Sequence, residues 1–189
     1  YFVFLAHAFS APTEQWQMGA FALLSFILSL GQTFAPLALT SAAIKYIAQY
    51  IAEGDLEKAR AVVGRVLQVG LLASIIAFLA LFVPAESVST LLFGTSENAL
   101  LIRLAAICSV FAIINIEVSS FLQGMQKMRD VAIIGLAYSI VSTSLGIYLL
   151  LLGWRLYAVI LGWLVGWLIS SLACLILTVR YLRISGKLH

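Results

Sequence analysis

LALTSAAIKYIAQYIAEGDLEKARAVVGR, from Leu37 to Arg65, starts as an apolar run and turns amphipathic around Lys45, Tyr46, Gln49 and Tyr50. It breaks at Gly54-Asp55 and restarts as a charged helical turn leading into a second apolar run. This is the pattern of one helix leaving lipid and another entering it. Gly54 suits a left-handed helix end, Asp55 suits the cap of the next helix, and Glu57 complements the positive end of that helix's dipole. Lys45, Lys58, Arg60 and Arg65 are expected on the cytoplasmic side, where basic residues flanking membrane spans are retained.

The composition agrees with a lipid solvent. Of 189 residues, 63% are hydrophobic and only 10% charged, with a mean hydropathy of +1.09; an average soluble domain is about 25% charged. The net charge of +3 comes from basic residues clustered between apolar runs, and no basic stripe with interleaved aromatics offers a nucleic-acid surface. Cys108 and Cys174 sit inside apolar runs without a CxxC partner. Neither a disulfide framework, a metal nor a cofactor is expected from them.

Outward from the opening stretch, the apolar runs predict an all-α, polytopic membrane bundle forming one domain over residues 1–189. About five full spans are expected, near 17–44, 62–83, 99–121, 131–152 and 156–178. Residues 1–9, YFVFLAHAF, are too short to cross about 30 Å of hydrocarbon and read as the tail of a first span that begins upstream. Pro36 removes the hydrogen bond to the Gln32 carbonyl and marks a kink or hinge within 17–44. Residues 84–98 carry Glu86 and Glu97 but no basic residue and read as an outside loop, with Thr95 or Ser96 capping the helix that follows; Asp130 is expected to cap the next one. Nine of the eleven Lys and Arg fall on one side of this arrangement, with Arg103 and Arg155 on the other, so both ends of the segment are expected in the cytoplasm. Ser142-x-x-x-Gly146 and Gly162-x-x-x-Gly166 place small residues one turn apart and predict close packing of the last two helices.

Ala42-Ala43-Ile44-Lys45-Tyr46-Ile47-Ala48 followed by Gly54-Asp55-x-Glu57-Lys58-Ala59-Arg60, together with Phe121-Leu122-Gln123-Gly124-Met125-Gln126-Lys127-Met128, resemble the polysaccharide exporters. These are the lipid-linked oligosaccharide flippases of the multidrug/oligosaccharidyl-lipid/polysaccharide superfamily. Pro12, Glu14 and Trp16 fit the head of that family's second span, whereas Gln17 stands in a usual glycine place and Gly19 comes late. The resemblance covers nearly all of the chain and implies the N-terminal lobe of a two-lobed transporter of the cytoplasmic membrane. Such a lobe would flip a lipid-linked saccharide by alternating access and would not be an enzyme. Its implied partners are that substrate, membrane lipids and a second transmembrane lobe in the same or another chain.

Ionisable groups within a bilayer are functional candidates because they are costly there. Arg103 and Glu117 qualify: fourteen residues apart on one span, they lie within about 40° of one face and about 21 Å apart. Arg103 either snorkels to the interface or meets the substrate's pyrophosphate, which a guanidinium suits. Glu117 is either solvated from the cytoplasm or couples transport to protons or sodium. Lys45, with Lys127 and Arg129, either orients the chain or attracts the anionic head group. Gln32, beside the carbonyl freed by Pro36, is the candidate sugar contact, and His7 ranks below all of these. Competing readings are a multidrug or organic-cation antiporter of the same superfamily, an integral membrane transferase, which would need Asp, Glu or His clustered on loops, and a non-transporting scaffold.

Overall fold

The computed structural model describes residues 15–34 and 39–185, and among them every regular element is an α-helix. In chain order these are α1 (Gln15–Phe34), α2 (Leu39–Ala52), α3 (Leu56–Phe82), α4 (Ala85–Phe93), α5 (Ala99–Gly124), α6 (Met128–Leu151) and α7 (Arg155–Ser185). Four of them, α3, α5, α6 and α7 as far as Arg183, are long and apolar enough to cross a membrane. The run expected as one span over 17–44 is described as α1 and α2 on either side of residues 35–38. Pro36, His7 and residues 1–9 lie outside the described residues.

The turn chemistry of the opening stretch is realised at Gly54 and Asp55. Gly54 has φ +76°, and the Asp55 N–H donates to the Tyr50 carbonyl at 2.9 Å, closing α2 as glycine-ended helices close. The Asp55 carboxylate then accepts from the Lys58 N–H at 3.0 Å and pairs with the Lys58 ammonium at 2.8 Å. Those bonds to Lys58 hold the Asp55 carboxyl below the usual carboxylate range.

Residues 84–98 are not simply a loop. Pro84 stands at the N-cap of α4, Glu86 lies in its first turn, and Gly94, at φ +72°, ends it. The N-cap of α5 is Asn98 rather than Thr95 or Ser96, its carbonyl accepting from the Leu101 and Ile102 N–H groups, while the Thr95 carbonyl accepts from the Ser89 hydroxyl at 2.7 Å. Asp130 is likewise not a cap. α6 begins two residues earlier, and the Asp130 carboxylate accepts from the Tyr181 hydroxyl at 2.6 Å.

α5 is the post around which the others stand, packing against all six. A helix apolar on every side belongs in an interior, and more than half of α5 is buried. Ala105, Ala106, Ser109 and Ala112 keep it thin enough for that. One core cluster, including Ile47, Val66, Phe121, Leu122 and Leu182, fills the basic end of the bundle. A second, including Leu24, Ala85, Ile102, Leu156 and Ile160, fills the opposite end. Leu72 and Ile76 of α3, Ile140 of α6 and Ile176 of α7 stay exposed at 61–67%, an outward apolar surface that suits acyl chains rather than water.

The α6–α7 seam is built on the small-residue pairs expected there. A Cβ on Gly162 would stand 2.6 Å from the Ser142 carbonyl oxygen, and one on Gly166 would stand 2.9 Å from both Ser142 Cβ and the Tyr138 ring. Gly162→Ala is therefore expected to destabilise the protein by about 1–3 kcal/mol through overpacking. Gly135→Ala, on the same α6 but with nothing within 4 Å of its Cβ, is expected to be neutral or stabilising by up to about 1 kcal/mol. Thermal unfolding in detergent checks the pair, and equal effects at the two positions would contradict this account of the seam.

Candidate functional site

On α1, Ser25, Ser29 and Gln32 recur at helical spacing and share one face. Across from them stand Tyr138 of α6 and Trp163 and Trp167 of α7, and with Leu28 these residues line a cleft of about 250 Å³. The serine hydroxyls donate back to their own helix, Ser25 to the Phe21 carbonyl and Ser29 to the Phe26 carbonyl, each at 2.7 Å. Their oxygens keep lone pairs for other donors. The Trp163 and Trp167 ring centroids are 6.1 Å apart, Tyr138 stacks on Trp167 at 5.9 Å, and Phe21 meets Trp163 at 5.5 Å. Gly166 gives the Tyr138 ring its place, since a side chain there would collide with it. Chemically, the cleft offers neutral hydrogen-bonding groups beside aromatic faces.

The charged candidates are elsewhere and apart. Arg103 donates to the Glu86 carboxylate on α4 at 3.0 Å and lies over the Phe82 ring at 5.8 Å. Its Nε is buried without a partner. Lys45 is exposed at the other end of the bundle, 5.7 Å from the Tyr46 ring. Near it, Tyr46, Tyr50, Lys58 and Arg65 edge an otherwise apolar groove of about 330 Å³ between α2 and α3. Gln32 lines the cleft as described. Gln32, Lys45, Arg103 and Glu117 are thus not assembled into one site.

Glu117 is 1% exposed and is not solvated from the end of its helix. Its side chain lies in the space left by Gly70 of α3, where a Cβ would come within 2.9 Å of the Glu117 Cγ methylene and 3.5 Å of its carboxyl carbon. Neither carboxyl oxygen has a hydrogen-bond partner, a costly state for any polar group removed from water.

A family model described as "Polysaccharide biosynthesis protein" matches residues 15–188. The chain belongs to that family. It is a family of polysaccharide exporters and flippases of the multidrug/oligosaccharidyl-lipid/polysaccharide superfamily, whose members are typically transporters rather than enzymes. No curated protein and no solved structure matches the chain. As a member of the polysaccharide biosynthesis protein family with four helices able to cross a bilayer, it is a membrane protein. Among the described residues, no three His, Cys, Asp or Glu side chains converge as metal ligands would.

Several polar and aromatic residues not singled out by the sequence pattern matter here. Trp163 and Trp167 carry a signal in retrospect: tryptophans one helical turn apart within a span, rather than at its aromatic rim. Asn115 of α5 donates to the Ser170 hydroxyl of α7 at 2.7 Å, and Gln17 is buried at 1% exposure with both amide atoms unpartnered.

The Glu117–Gly70 contact makes a definite expectation. Gly70→Ala should lower stability by about 1–3 kcal/mol, while the same change in a Glu117→Ala background should cost much less. Unfolding of the four proteins of this cycle should give a coupling of about 0.5–3 kcal/mol; strictly additive effects would remove the contact.

Proposed function

We propose that this chain is the N-terminal lobe of a flippase that carries a lipid-linked saccharide from the cytoplasmic leaflet outward by alternating access against a second lobe. The observation that carries the reading is the cleft where Gln32, Ser25 and Ser29 face Tyr138, Trp163 and Trp167. Saccharides bind through hydroxyls that donate and accept hydrogen bonds and through C–H faces that stack on aromatic rings, and the cleft presents both partners. The family match supports saccharide export as the setting.

In this reading α1 and α2 together make a further crossing, with a hinge supplied by the proline at position 36, and residues 15–185 contain five full spans. The basic end, with Lys45 and its neighbours, faces the cytoplasm and draws the anionic head group toward the bundle. Arg103 exchanges its bond to Glu86 for the substrate's pyrophosphate near the opposite end, where its unused Nε adds a second donor. Glu117 couples the cycle to protons or sodium when separation of α3 from α5 admits water to its carboxyl. The basic flank of α7 at Arg180 and Arg183 lies in the cytoplasm, and the substrate, membrane lipids and the second lobe are the partners of the segment.

The test is transfer of a fluorescent lipid-linked oligosaccharide across proteoliposomes that contain the full-length polypeptide and its second lobe. Gln32→Ala and Trp167→Ala are each expected to slow transfer about three- to tenfold, the loss of one or two substrate contacts. Gly135→Ala should transfer at the unaltered rate. Absence of transfer above protein-free liposomes, or unaltered rates in both cleft variants at equal protein content, would overturn the reading.

A further inference from the structure

At the end of the bundle opposite the basic cluster, a second pocket of about 480 Å³ opens between the start of α1 and the turn joining α4 to α5. Its volume is in the range of small-molecule sites, about 300–1,000 Å³. Trp16, 49% exposed, forms one wall, and Thr95, Glu97 and Asn98 form the other over a floor that includes Leu23 and Leu92. Trp16, Gly19, Ala20 and Leu23 follow helical spacing on one face of α1. Nothing lies within 4 Å of where a Gly19 Cβ would stand, so the space beside the indole is open.

The backbone of this wall is bonded, the Asn98 carbonyl accepting from the Leu101 and Ile102 N–H groups, but two of its side chains are idle among the described residues. Asn98 occupies the N-cap of α5, where an asparagine ordinarily accepts from an N–H of the first turn, yet its side chain makes no capping bond. Glu97 takes part in none of the ion pairs among the described residues. The bond from the Ser89 hydroxyl to the Thr95 carbonyl fixes this turn, so the groups are presented by a held backbone. Membrane-interface preference explains an exposed tryptophan, but it does not explain an acid and an amide left unused beside it.

We infer that this pocket is a second saccharide subsite, distinct from the cleft at Gln32. The inference deepens the proposed transport of a lipid-linked saccharide and rests on it for its biological setting. A sugar ring stacks its C–H face on the Trp16 indole. Glu97, which can only accept, and Asn98, which can both donate and accept, take neighbouring hydroxyls, and the Thr95 hydroxyl takes a third. An organic cation would use the indole and the carboxylate but would leave Asn98 and Thr95 idle, and cation sites are commonly cages of several aromatics.

The experiment titrates the full chain in detergent with three neutral trisaccharides, those of glucose, N-acetylglucosamine and mannose, followed by saturation-transfer NMR. A Gln32→Ala background removes the contribution of the cleft. At least one trisaccharide is expected to bind saturably, with affinity falling about tenfold in Trp16→Ala and in Asn98→Ala, and retained within about threefold in Trp16→Phe, which also reports an intact fold. No saturable binding of any of the three, or binding unaltered in both Trp16→Ala and Asn98→Ala, would overturn the subsite. So would binding of tetraethylammonium that is lost in Glu97→Gln while the saccharides fail to bind. If Gln32→Ala slows lipid-linked saccharide transfer but Trp16→Ala leaves trisaccharide binding intact, the subsite falls and the transport reading stands. If Trp16→Ala abolishes binding in a protein that transfers no lipid-linked saccharide, the subsite stands and the transport reading falls.

Discussion

Close backbone approach at a few glycines is the constraint on which this bundle depends. Between helices in lipid there is no hydrophobic drive, because acyl chains are as apolar as leucine, so association rests on tight packing and on hydrogen bonds between helices. Gly162 and Gly166 let α7 lie against Ser142 and Gly146 of α6. Gly124 lets the end of α5 sit against Ile47 and the Ile44 carbonyl of α2, and Gly70 lets α3 close over Glu117 of α5. Each contact would collide if a single carbon were added. The bonds from Asn115 to Ser170 and from the Arg60 guanidinium to the Leu182 carbonyl, at 2.8 Å, add polar ties between α5 and α7 and between α3 and α7.

This spacing also decides where polarity is tolerated. Charges at the basic end find local partners: Lys58 pairs with Asp55, Lys127 lies 4.7 Å from the Tyr181 ring, and Tyr181 donates to Asp130. At the opposite end Arg103 finds Glu86. Among the described carboxylates Glu117 alone is enclosed without a bond, and it is enclosed by a glycine contact. The same closeness that packs α3 on α5 therefore keeps the carboxyl from a hydrogen-bond partner among the described residues.

What the sequence made legible were features fixed by neighbours along the chain. The left-handed Gly54, the cap at Asp55 and the small pairs in α6 and α7 are local signals, and each is found in its expected role. α4 carried local signals as well, with Pro84 before it, Glu86 in its first turn and Gly94 after it, but nine residues between two spans read as a loop. The surroundings of Glu117 were not legible. Its contact with Gly70 is set by the register of α3 on α5, and helical spacing within α5 alone places Glu117 near the face of Arg103. The aromatic side of the cleft was hidden for the same reason: Tyr138 and Trp167 lie on different helices, and only the glycine seam brings their rings together.

The distribution of tight and loose contacts separates the bundle into parts with different freedom. α6 and α7 meet through two close glycine contacts, whereas α1 packs most closely on α5 and meets that pair across the cleft through rings and polar side chains. Ring contacts at centroid distances of 5.5–6.1 Å can slide or part without breaking backbone packing, which glycine seams cannot do. Gln32 and the two tryptophans thus lie along a boundary held by side chains rather than by close backbone approach, and the pocket beside Trp16 lies at the other end of the same helix.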